Sequence, residues 1–160
     1  MIVGIVILTL VILSIGIICL ARHANTAKYA LSFRDSMDLV DLPVVTFYNG
    51  HKKFNMLLDT GSTECIISRE YLNNLIYEDT GMSREMFGME GKTVVNPIVS
   101  STISYSGLKF DVEFLAVDMS QAFGLIKKEN GVTIHGILGS NFFARYKYVL
   151  DFDKLMFYKK

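Results

Sequence analysis

The chain has 160 residues, with 16 Lys plus Arg against 16 Asp plus Glu, a balance that leaves no basic field for nucleic acid. Its two cysteines give neither a disulfide framework nor a zinc set, and His23, His51 and His135 lack metal-ligand spacing, so no metal or other cofactor is expected.

Residues 2–21 carry no charge, and about 20 apolar residues suffice to cross a bilayer core of roughly 30 Å as a helix. A secretory signal would need a basic start and a small-residue cleavage site, and neither is present. Cys19 lacks the small residues that precede a lipoprotein cysteine. An uncleaved transmembrane helix over residues 1–21 is therefore expected. Arg22, Lys28 and Arg34 follow it while only the α-amino group precedes it, which favours a cytoplasmic position for what comes next. Residues 22–37 read as a juxtamembrane linker and 38–160 as one domain, viable at this size but helped by dimerisation.

That domain begins with a β pattern. Pro43 to Tyr48 and Lys53 to Leu58 flank Asn49-Gly50-His51, a hairpin signal because both Asn and Gly tolerate positive φ. Cys65-Ile66-Ile67 reads as a short buried strand, with Cys65 a small core residue. Ser68 is placed to cap a helix carrying Tyr71, Leu72, Leu75 and Ile76, closed by Gly81 past its C-terminus. Ile103 and Tyr105 alternate with polar residues, Ser106-Gly107 turns the chain, and Leu108, Phe110, Val112 and Phe114 share one face: an antiparallel hairpin. Residues 119–134 look irregular, holding at most a short helix. A helix near Asn141 to Tyr146 and a hairpin around Asp153-Lys154 complete the chain.

Asp-Thr-Gly occurs twice, at Asp59-Thr60-Gly61 and at Asp79-Thr80-Gly81. A water-activating carboxylate needs a rigid loop, nearby amides and hydroxyls, and little crowding. Asp59 lies between Met56-Leu57-Leu58 and Cys65-Ile66-Ile67, so apolar strands brace its loop; Gly61 permits close backbone approach, and Thr60 and Ser62 add hydroxyls. Asp79 has polar flanks, and its tripeptide reads as a turn.

Leu57-Leu58-Asp59-Thr60-Gly61-Ser62-Thr63 resembles the active-site loop of aspartic proteases. His135-Gly136-Ile137-Leu138-Gly139-Ser140-Asn141 resembles the second signature of that family, and Met86-Phe87-Gly88-Met89-Glu90-Gly91 resembles the tip of a retroviral-type flap. The likeness runs from about Leu42 to Tyr158. It implies an all-β, single-lobe, retropepsin-like closed barrel with one or two short helices. It also implies peptide hydrolysis by two aspartates that share a proton and activate a water. One chain offers one such loop, so the second aspartate would be Asp59 of another copy in a two-fold homodimer.

By the same resemblance, Thr60 bonds across to the partner loop, Ser62 bonds a carboxylate oxygen, and Ile137, Leu138 and Gly139 pack under the loop. Met86, Phe87, Gly88, Met89 and Gly91 would close over an extended polypeptide substrate bound like an added strand. The chain departs from the retroviral pattern where an Arg and an Asp form an ion pair: Ser140 and Thr63 stand there. The alternative is a membrane-tethered module on the same fold that dimerises or grips peptide without catalysis. His135 is expected to make a structural hydrogen bond.

Overall fold

A computed structural model describes residues 30–87 and 93–160. The expected anchor, residues 1–21, lies outside them; among the described residues no helix is long and apolar enough to cross a membrane.

Order begins earlier than the linker reading placed it. Helix α1 (Phe33–Val40) starts at Ser32, whose side chain accepts from the Asp35 N–H while the Asp35 side chain accepts from the Ser32 N–H, a capping box. Phe33, Ser36 and Val40 turn inward. Leu31 exchanges hydrogen bonds with Thr46, its N–H donating to Oγ1 at 2.7 Å and its carbonyl accepting at 3.0 Å. Ser36 Oγ accepts from the Val44 N–H at 2.9 Å. Residues 31–37 thus belong to the domain, because they satisfy backbone donors on the first strand that burial would otherwise orphan.

Strands β1 (Val44–Asn49) and β2 (Lys52–Leu58) form the expected hairpin, paired from Val44 with Leu57 to Asn49 with Lys52. Only Gly50 of the turn takes positive φ, at 59°. Asn49 stays in the strand, and its buried side chain bridges to the Ile76 N–H (2.6 Å) and the Ile76 carbonyl (3.1 Å).

That bridge explains a correction. The helix expected after Ser68 is only a 3-10 segment, Arg69–Asn74, without a Ser68 side-chain cap. Asn49 claims the backbone groups of Ile76 that a continuing helix would need, and Ile76 is left 65% exposed. The second Asp-Thr-Gly then lies within strand β4 (Glu78–Phe87), not at a helix end. Asp79 pairs with Val99 and Ser83 with Pro97, so Thr80, Gly81 and Met82 bulge opposite Ile98 alone. Gly81 does adopt positive φ, at 68°, but serves the bulge.

Strands β3 (Cys65–Ser68), β5 (Thr93–Tyr105), β6 (Leu108–Val117) and β7 (Gly136–Leu138) complete a sheet ordered β1-β2-β7-β3-β6-β5-β4. Pairing of Tyr48 with Ser104 joins β1 to β5 and closes six of the strands into a barrel. The fold is mostly β with few short helices, as expected. Phe110, Val112 and Phe114 are buried, whereas Leu108, beside the turn, is 45% exposed. Residues 119–134 are more regular than expected: helix α2 (Ser120–Asn130) ends at Gly131, left-handed at φ 73°.

Helix α3 (Ser140–Tyr146) sends Phe142 into an aromatic core with Phe47, Phe110 and Phe157, and strands β8 (Tyr148–Asp151) and β9 (Met156–Lys159) form a separate two-stranded hairpin. A second cluster, with Leu31, Val40, Phe123 and Ile134, packs α1 and α2 on Val44, Ile66 and Ile137.

Candidate active site

The loop after β2 is held from below by a strand inserted between its own two ends. β7 pairs parallel with β2 (Met56–Gly136, Leu57–Ile137, Leu58–Leu138) and antiparallel with β3 (Ile66–Ile137, Ile67–Gly136). Ile137 and Leu138 thus lie in β7 between the two strands that flank the loop, with Gly139 directly after them. The Asp59 N–H donates to the Leu138 carbonyl at 3.1 Å, and the Ser140 N–H donates to the Ser62 carbonyl at 2.7 Å. Gly139 is required by contact: a Cβ there would sit 2.3 Å from the Glu64 carbonyl oxygen. Gly136 is equally confined, 2.3 Å from the Ile66 carbonyl oxygen.

Within the loop, the Ser62 N–H closes a turn onto the Asp59 carbonyl at 3.2 Å, and the Gly61 N–H donates to Asp59 Oδ1 at 2.9 Å. Asp59 is half-buried, Thr60 and Gly61 are exposed at the apex, and among the described residues no ion pair neutralises the Asp59 carboxylate. The Ser62 hydroxyl donates to the Glu64 carbonyl at 2.8 Å, so within this chain it braces the loop and does not reach a carboxylate.

Where a retroviral-type loop would carry its Arg–Asp pair, this chain uses Glu64, which sequence reasoning passed over. Glu64 Oε1 pairs with Arg84 of β4, and Oε2 accepts a long hydrogen bond, 3.5 Å, from Asn141 Nδ2 of α3. Asn141 Oδ1 also accepts from the Cys65 thiol at 3.1 Å. Burial pushes that thiol up to about 11, which makes it a packing group and not a nucleophile. Three elements converge on the base of the loop, and an acid followed in space by Arg and Asn leaves no spacing signature to find.

Of the expected flap, Met86 and Phe87 occupy the end of β4, opposite Val94 and Thr93 of β5. Gly88, Met89 and Gly91 lie outside the described residues. Asp79 belongs to β4 and not to the Asp59 loop, its Oδ1 taken by the Gly81 N–H at 2.9 Å.

His135 makes the structural bond expected of it: Nδ1 accepts from the Asn55 N–H at 3.0 Å, and its ring packs on Phe54 and Tyr71. Burial pushes its pKa down to about 4, so it is neutral at physiological pH. Among the described residues no group of three or more His, Cys, Asp or Glu is placed to hold a metal ion.

A closed barrel, a strand threaded beneath an Asp-Thr-Gly loop and a long hairpin beside it are together the architecture of a retropepsin-like aspartic protease lobe. Residues 44–142 match the profile of the family described as aspartyl protease, and the chain belongs to that family. No curated protein matches the chain in a sequence search. Membership assigns the domain to the peptidases as a class, with Asp59 lying inside the matched segment.

Proposed function

We propose that the protein is a membrane-anchored aspartic endopeptidase that works as a homodimer, its dyad formed by Asp59 and Asp59 of the partner subunit. The observation that carries this is the braced loop itself. It is the loop on which a family member places its catalytic aspartate, and among the described residues it holds a half-exposed carboxylate without a neutralising cation. A single lobe supplies one such carboxylate, and the exposed apex at Thr60 and Gly61 is free to meet a second loop.

In the dyad one carboxylate is protonated and one is not, because two such groups a few ångströms apart cannot both ionise cheaply. The unprotonated one takes a proton from a bound water as its oxygen attacks the scissile carbonyl carbon. The other donates its proton to the carbonyl oxygen. The tetrahedral diol then collapses: a proton passes to the amide nitrogen, the C–N bond breaks, and acid and amine products leave. Substrate lies extended between the loop and the β4–β5 hairpin, hydrogen-bonded as an added strand. Residues 2–21 hold the enzyme in a bilayer with the domain on the cytoplasmic side, which confines the copies and favours pairing.

The test incubates the full chain, in vesicles or detergent, with a diverse peptide mixture at several pH values and identifies the cut bonds by mass spectrometry. Asp59→Asn is expected to abolish every cut, and activity per chain is expected to fall on dilution in detergent or on raising the lipid-to-protein ratio in vesicles. Cleavage that survives Asp59→Asn, or constant activity per chain at a monomeric mass, overturns the scheme.

A further inference from the structure

The early start of the ordered domain has a spatial result. Leu31 is hydrogen-bonded to β1, and the uncharged run ends at Ala21, so only residues 22–30 join them. Nine extended residues span about 30 Å, less than the roughly 35 Å width of a domain this size. With residues 2–21 in a bilayer, Leu31 stays within about 30 Å of the headgroups, so its face cannot be the one turned furthest from them.

The C-terminal hairpin lies on that face. The Phe33 ring meets the Phe152 ring edge-on at 5.2 Å between centroids, and the Arg34 guanidinium donates to the Lys154 carbonyl at 2.8 Å. Yet Phe152 remains 56% exposed and Met156, which pairs with Asp151 at the same turn, 49%. From residue 145 to 160 there are five basic residues and two acidic ones, Asp151 and Asp153. Lys154 engages Asp151 at 3.3 Å, while Lys159 and Lys160 are exposed.

We propose that the β8–β9 turn, led by Phe152 and Met156, docks onto the anionic lipid surface beside the anchor and holds the barrel in one orientation. Phe152 stands between Asp151 and Asp153, with Lys154 and Arg34 beside the same turn and Lys159 and Lys160 at the far end of the hairpin. The exposed ring enters the headgroup layer while these cations, which outnumber the two hairpin acids, meet lipid phosphate and carboxylate. The tether raises the local concentration of this surface, so a small patch suffices. A second copy of the hairpin is a poorer occupant, because it would bring the same excess of lysine against itself. The inference rests on the anchor reading but not on the chemistry of Asp59.

The chain has no tryptophan, so Phe152→Trp introduces a single reporter. The full-length variant is reconstituted into phosphatidylcholine vesicles with and without phosphatidylserine, with brominated acyl chains as quencher. Expected are blue-shifted emission, a roughly twofold loss of intensity with brominated lipid, and a weaker effect without phosphatidylserine or in a Lys154→Glu, Lys159→Glu background. Red, unquenched emission overturns the proposal. So does blue-shifted emission that brominated lipid leaves unchanged, which would mean burial against protein. Failure of the chain to float with the vesicles overturns the anchor and the docking together, while peptide cleavage reports on Asp59 independently.

Discussion

Asp59 and Asp79 make the same local hydrogen bond: in each, Oδ1 accepts the N–H of the glycine two residues on, at 2.9 Å. The tripeptide thus encodes one turn, and the surroundings decide its use. At Asp59 the turn rests on β7; at Asp79 it shapes a bulge in β4. Asp79→Ala should therefore cost about 1 kcal/mol of stability through the lost turn. Peptide cleavage should stay near its original rate. Denaturant titration and the peptide assay check the two halves separately, and loss of cleavage in a folded Asp79→Ala protein would contradict the assignment.

Gly139 is the tightest point under the loop. Its Cβ position lies against the Glu64 and Ser62 carbonyls, both main-chain atoms that cannot swing aside. Gly139→Ala should destabilise the fold by about 3 kcal/mol or more. Gly124, in helix α2 with nothing within 4 Å of its Cβ position, is the contrast. Gly124→Ala should stabilise by about 0.5–1 kcal/mol. Urea midpoints that move in the same direction for both variants would be inconsistent with these contacts.

The Arg84–Glu64 pair joins β4 to the base of the Asp59 loop, with side chains 51% and 37% exposed. Such a pair contributes at most about 1 kcal/mol to stability. Its expected effect is on substrate binding, through the placement of β4. Arg84→Met should shift the melting temperature little but raise KM several-fold with kcat largely kept. Steady-state kinetics on a peptide found by the cleavage screen measure this, and an unchanged KM would remove the pair from the site.

His135 sets a pH dependence. Its folded pKa, about 4, lies below the ordinary 6.5, because burial penalises the cation and the Lys127 charge adds to that penalty. The unfolded chain therefore binds an extra proton between those values, so stability is fully present above pH 6.5 and falls as the pH drops towards 4. The loss amounts to about 2–3 kcal/mol. Asp118 and Asp151, held below the carboxylate range by hydrogen bonds from Ser120 and from the Lys154 N–H, add losses only at lower pH. His135→Asn keeps an acceptor near Nδ1 without the titration, and its urea midpoint should change much less between pH 7 and 4.5.

The strands were legible because each carries its own period: Phe110, Val112 and Phe114 declare a buried face without help from the rest of the chain. The Asp59 loop was legible because apolar strands bracket it locally. The segment after Ser68 misled because its helical spacing is real, but Asn49, distant in sequence, takes the Ile76 backbone. The linker misled for a similar reason, since Leu31 and Ser36 find their partners on β1. Glu64 with Arg84 and Asn141 had no pattern to show, being drawn from three separate elements. Local periodicity is written in a sequence; a side chain that captures a remote backbone group is not.

The threading of β7 between β2 and β3 also bears on assembly during synthesis. Met56 pairs with Gly136, and Ile66 with Ile137, so the pairings that seat the loop cannot form until residues 136–138 have left the ribosome. Contacts this distant in sequence form late and slowly. The Asp59 loop is thus among the last parts to set, and if the chain is the peptidase proposed above, it has no formed site with which to cut anything while it is still being made.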